Sequence, residues 1–176
     1  MHRFNRVARA VGAAALAAML AMTAAAPAQA AVTGPDAASI TAFLKGIYAH
    51  YRSSSTDWSA YAAPVDATVF DPALVAALRR DQTPNQTEDS TYAGVDIFCL
   101  CQEHNAITAT IVVDSIAGAT AKAHAAINDT MGGPVTLRFD LVKVASGWRV
   151  YDVFSGESKG LRQLVMEDLQ AHQPHH

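Results

Sequence analysis

Apolar residues recur at helical spacing through Ile40, Phe43, Leu44, Ile47, Tyr48 and Tyr51, which predicts an amphipathic helix with an aromatic-rich buried stripe running to Arg52. Thr33-Gly34-Pro35-Asp36 is its predicted start. Ser53 to Asp57 interrupts the pattern, and Trp58 with Tyr61 is expected to pack on the way to a second helix. There Asp71 is the predicted N-cap and Pro72 the first helical residue, where a missing amide donor does no harm. Leu74, Val75 and Leu78 give the buried side of this helix, which should end near Arg80. From Asp81 to Ser90 the residues are polar and can bury little, so the chain is expected to loop over the surface.

The pattern then changes period. Ala106 to Ile116, Ala119 to Asn128, Val135 to Val144 and Trp148 to Phe154 are rich in β-branched and aromatic residues, with Gly-containing breaks between them. Four such segments in succession predict an antiparallel meander, with Ser146-Gly147 as a tight hairpin turn. A last helix is expected from about Lys159 to Gln170, with Leu161, Leu164, Val165 and Leu169 on one side. Helices, then strands, then a short C-terminal helix describe an α+β class: a curved antiparallel sheet of about four strands covered by the N-terminal helices.

The first 30 residues are expected to lie outside that domain. Arg3, Arg6 and Arg9 precede an apolar run from Val11 to Ala26, and Ala28-Gln29-Ala30 has the small-x-small form of an export peptidase site. The run is shorter than a membrane span needs. Residues 1–30 are therefore predicted to be a cleaved signal peptide, 31–171 a single domain, and 172–176 a His-containing tail, with no stable membrane span after cleavage. Cleavage also changes the charge. The leader holds three of the 13 basic residues and none of the 16 acidic ones, so the mature chain carries 10 against 16, formally −6. Its Lys and Arg form no stripe, which argues against nucleic acid as the partner.

Several segments carry a resemblance to a known family: Phe43-Leu44-Lys45-Gly46-Ile47-Tyr48-Ala49-His50-Tyr51, Phe70-Asp71-Pro72-Ala73-Leu74, Asp96-Ile97-Phe98-Cys99-Leu100-Cys101-Gln102-Glu103, Gly147-Trp148-Arg149-Val150-Tyr151-Asp152-Val153 and Leu161-Arg162-Gln163-Leu164. With these the chain resembles a family of secreted bacterial domains of unknown function in the nuclear-transport-factor-two-like superfamily. The resemblance implies a cone in which a curved sheet wraps a long helix, and an export route. It implies no reaction. Ile97 stands where that family has Pro, and Glu103 where it has Asp.

Candidate chemistry centres on Asp96, Gln102, Glu103 and Asp152, with Tyr48 and Trp148 as further ligand- or partner-binding candidates. Strict alternation puts Trp148, Val150, Asp152 and Phe154 on one face, so Asp152 is expected to point into the interior. There it would need hydrogen bonds, an ionic partner or a raised pKa. Cys99 and Cys101 are the sole cysteines. In an oxidising compartment they are expected to form a disulfide; with His104 they could instead hold a soft metal, or act as a redox thiol pair. His172, His175 and His176 are expected to be a solvated tail, and His124 to lie on a solvent face.

No complete set of acid, base and orienting groups can be assembled, and no cofactor motif is present. The preferred expectation is an exported, non-catalytic binding or accessory domain taking a small apolar ligand or a periplasmic protein. The alternatives are a small pocket enzyme using Asp152 or Asp96 as general base, and an inhibitor or immunity-type protein acting on a secreted enzyme.

Overall fold

A computed structural model describes residues 32–52, 66–81, 96–101, 106–129 and 133–171. The predicted leader, Trp58, Tyr61, Gln102, Glu103, His104 and the His-containing tail lie outside the described residues. The elements are α1 (Pro35–Ala49), α2 (Asp66–Val69), α3 (Pro72–Asp81), β1 (Thr108–Ala117), β2 (Thr120–Asp129), β3 (Gly133–Val144), β4 (Gly147–Ser155) and α4 (Leu161–Ala171). The expected α+β class is therefore present, with an open antiparallel sheet in the order β1-β2-β3-β4. No helix among the described residues is long and apolar enough to cross a membrane.

Each helix starts for a local reason. Pro35 opens α1 behind Gly34, whose φ of 123° suits a residue without Cβ. Asp71 caps α3 as its sequence position implies, its Oδ1 accepting the Ala73 amide at 3.0 Å. The short α2 has no periodic signature. It is held by buried Asp66, which accepts the Ala67 amide and a two-point bond from Arg79 at 2.7 and 2.9 Å. That guanidinium holds the Asp66 carboxyl below the usual range, against the opposing pull of burial.

The sheet alternates cleanly over most of its length. Ala121, Ala123, Ala125 and Ile127 of β2 and Leu137, Phe139 and Leu141 of β3 face the core, against which α1 brings Ile40, Leu44, Ile47 and Tyr48. Phe98, fully buried, stacks between Phe70 at 5.9 Å and Phe139 at 6.2 Å, joining the turn before β1 to the sheet. The last hairpin turns one residue earlier than its sequence implies. Val144 pairs with Gly147, so Ala145-Ser146 forms the two-residue turn, and Gly147 supplies its positive φ of 117° as the first residue of β4.

Two bulges break the alternation, and the second overturns an expectation. In β1 the register shifts between Val113 and Ser115, leaving Asp114 as the extra residue. His124 lies on the solvent-facing side of β2 as expected, but its Nδ1 is 2.8 Å from the Asp114 carboxylate that the bulge presents. In β4, Val150 pairs with Leu141 and Asp152 with Asp140, leaving Tyr151 unpaired. Past this bulge the faces exchange. Val153 continues the inner row beside Phe139, while Asp152 and Phe154 pair with outward-facing Asp140 and Arg138. Asp152 therefore does not share the inner face of Trp148 and Val150, as strict alternation predicted.

The strand edges are partly covered. The Val32 amide donates to the Val113 carbonyl at the β1 edge, and Phe70 forms a parallel bridge to Val150 at the β4 edge, with the Asp71 amide on the Val150 carbonyl. Helices α3 and α4 pack together beside β4. Replacing Phe98 with Ala removes the ring that links these layers, and a loss of about 3–5 kcal/mol is expected in denaturant unfolding.

Candidate functional site

The candidate residues separate into two clusters, one at the end of α1 and one between β4 and α4. The first lies where α1 ends. Asp96 Oδ2 accepts the Tyr51 hydroxyl at 2.6 Å and its Oδ1 accepts the Phe98 amide at 2.8 Å. Tyr48, one turn before Tyr51, is 4 % exposed, and its ring centroid lies 6.1 Å from that of Tyr51. Its hydroxyl has no hydrogen-bond partner among the described residues. Burial first, and the charge of Asp96 second, push the Tyr48 phenol far above its ordinary value, so it stays protonated and can only act as a neutral donor or acceptor.

Cys99 and Cys101 are joined in a disulfide within the same turn. Both are buried, and Leu100 between them takes a φ of 53°, in the left-handed region that a non-glycine residue seldom enters. The turn is closed by the Asp96 amide on the Cys101 carbonyl at 2.9 Å and the Leu100 amide on the Asp96 carbonyl at 2.7 Å. The disulfide among the open alternatives is thus the form present, and joined sulfurs are not thiolate ligands. No group of three metal-ligating side chains occurs among the described residues.

The second cluster surrounds Asp152. Its Oδ1 accepts both the Val153 and the Arg162 amides at 2.9 Å, the latter a free amide at the start of α4. Gly160, just before that helix, makes the approach possible. A Cβ there would lie 2.6 Å from Asp152 Cγ and 2.7 Å from Oδ1. Arg162 completes the arrangement: its side chain donates to the Tyr151 carbonyl, forms an ion pair with Asp71, and lies with its guanidinium carbon 4.0 Å from the Tyr151 ring centroid. Asp152 is consequently buried between β4 and α4. Burial pushes its pKa up, and the two amides and the Arg162 charge only partly offset this. Of the ways open to a buried carboxylate, Asp152 thus combines hydrogen bonds with a raised pKa.

Trp148 belongs to neither cluster. Its indole donates to Ser39 Oγ at 3.0 Å, and Lys143, paired with Asp36, lies over its ring. It tethers the start of α1 to β4. The residues that sequence reasoning missed are Tyr51, Gly160, Arg162 and Asp71 in its second role as ion partner. Tyr51 and Asp71 were legible as a core aromatic and a cap. Gly160 carries only the weak signal of a Gly directly before a helical stripe.

Fold and clusters define an α+β domain built on a four-stranded antiparallel meander, with its candidate acids tied into helix ends and turns. No protein-family model matches the chain, and no curated protein or solved structure matches it.

Two outcomes follow from this geometry. Both amides bond one oxygen of Asp152, so Asp152→Asn can keep both hydrogen bonds, whereas Asp152→Ala strands two amides and is expected to lose about 1–3 kcal/mol. Because the folded-state pKa of Asp152 is raised, its contribution to stability is full below the unfolded value and is lost as pH rises through the folded one. Denaturation of parent and Asn variant across pH 3 to 7 should therefore show the parent losing ground to the variant as pH increases. At the other cluster, Tyr48→Phe removes a buried hydroxyl without a partner, and thermal unfolding should place the variant level with the parent or up to about 1 kcal/mol above it.

Proposed function

We propose that this chain is an exported, non-catalytic binding or accessory domain that meets a protein partner with the outer face of its sheet. Its export rests on the basic leader, the apolar run and the Ala28-Gln29-Ala30 site, and the Cys99–Cys101 disulfide suits an oxidising compartment. The helix-then-meander order is consistent with the resemblance to the secreted nuclear-transport-factor-two-like domains, and that kinship is part of the reading.

Catalysis by Asp96 or Asp152 has less support. Each carboxylate accepts hydrogen bonds from neighbours that shape a turn or start a helix, and the space between α1 and the sheet is filled by Leu44, Ile47, Phe98 and Phe139. The outer face offers more. A groove of about 370 Å³ runs past Ala117, Thr120, Val142 and Tyr151, and shares Ser115, Lys122 and Asp140 with a second hollow of about 320 Å³ toward Arg138 and Phe154. A surface that crosses all four strands, with acids and bases interleaved, gives a protein partner room to spread across both hollows.

The observation that carries the proposal is Tyr151. It is 45 % exposed, lifted out of the ladder by its own bulge and held by the Arg162 guanidinium. A pre-ordered, exposed aromatic is the kind of residue that dominates binding energy at interfaces. Native mass spectrometry of the protein released from its own periplasm tests this, comparing parent with Tyr151→Ser. The parent is expected to begin at Ala31 and to carry a protein partner that the variant loses at unchanged stability. A small molecule retained equally by both, or a leader left uncleaved, would overturn the reading.

A further inference from the structure

Beside the first cluster, and separate from the outer sheet face, lies a pocket of about 260 Å³ between the end of α1 and the start of β1. It is lined by Lys45, Tyr48, Arg52, Ile107, Thr108 and Ala109. The three residues from the α1 side are spaced by three and four positions, so they share one face of the helix and the turn that continues it. Lys45 and Arg52 are exposed.

These two cations differ from the others among the described residues. Arg79, Lys122, Lys143, Lys159 and Arg162 are each paired with a carboxylate. Arg138 and Arg149 donate to carbonyls, and Arg80 also has a partner. Lys45 and Arg52 have no hydrogen bond or ion pair among the described residues. The pocket they share is also the one lined by Tyr48, whose buried hydroxyl lacks a partner. A buried polar group left unpaired disfavours the free protein, and two uncommitted cations in an otherwise acidic chain concentrate positive potential at one place. Three unmet needs coincide, and all three are met by an oxyanion.

We propose that this pocket binds a small organic carboxylate. The Arg52 fork can take its two oxygens and Lys45 adds a point charge, with the unpaired Tyr48 hydroxyl as the neutral donor among the lining residues. Ile107, Ala109 and the Tyr48 ring give apolar walls for a short tail. The volume lies below the usual range of drug-sized sites, about 300–1,000 Å³, which favours a small ligand. None of these residues lines either hollow of the outer face, so the site stands or falls independently of the protein partner proposed there.

The test is an amide-resolved NMR titration of the mature protein with sodium propanoate at low salt, with inorganic phosphate as a second arm. Propanoate is expected to give saturable shifts confined to residues 45–52 and 107–109. Lys45→Gln and Arg52→Gln, both at exposed positions, should keep the parent melting temperature and each weaken binding about tenfold or more, as loss of a charged hydrogen bond implies. Tyr48→Phe should weaken it by a smaller factor. Absence of saturation, undiminished binding in Arg52→Gln, or phosphate binding as tightly as propanoate with both abolished by added salt would overturn the proposal, the last by showing only a diffuse cationic surface.

Discussion

The β4 bulge at Tyr151 is the constraint on which the C-terminal half depends. One extra residue turns the following carboxylate out of the sheet's inner row and toward the free amides that start α4. Without it, Asp152 would enter a row shared with Trp148 and Val150, where a carboxylate without partners is strongly disfavoured. With it, Val153 fills that row and Asp152 anchors a helix. The same bulge lifts Tyr151 to the surface, where Arg162 meets its ring and its carbonyl and reaches across to Asp71. Strand β4, helix α3 and helix α4 are thus joined through one irregularity.

The raised pKa of Asp152 shows how such a joint is balanced. Two amides and a nearby guanidinium stabilise its charge, yet removal from water outweighs them. Asp66 presents the opposite balance: its two-point bond with Arg79 outweighs the cost of burial, and its pKa falls. The difference lies in partner type. A direct, charge-assisted fork meets both oxygens of Asp66, whereas the amides reach only one oxygen of Asp152.

At the other end of the sheet, the Asp96 turn joins short-range and long-range order. Its disulfide closes a ring too small to restrain much of the unfolded chain, about 1.6 kcal/mol in the chain-entropy account. The local geometry it accompanies matters more. Leu100 turns back, Phe98 enters the core between Phe70 and Phe139, and Asp96 receives the Tyr51 hydroxyl. The neighbouring Tyr48 is left with a buried hydroxyl unmatched among the described residues, an unusual state in a well-packed interior.

What could be read from the sequence alone was whatever depends on near neighbours in the chain. Helical and alternating periods located α1, α3, the four strands and α4 to within a few residues, because burying an apolar stripe imposes its period on the sequence. The Asp71-Pro72 cap was legible for the same local reason, and the meander followed from short Gly-bearing breaks. The tertiary structure decided the rest. A bulge has no period and shifts every later side chain by one, so the face of Asp152 was misread. The short α2 exists because Asp66 meets Arg79 across 13 residues. Gly160 matters only because a carboxylate eight residues earlier in the chain folds back against it. Pairings such as Arg162 with Asp71, 91 residues apart, leave no spacing to detect, since it is the fold that brings those charges together.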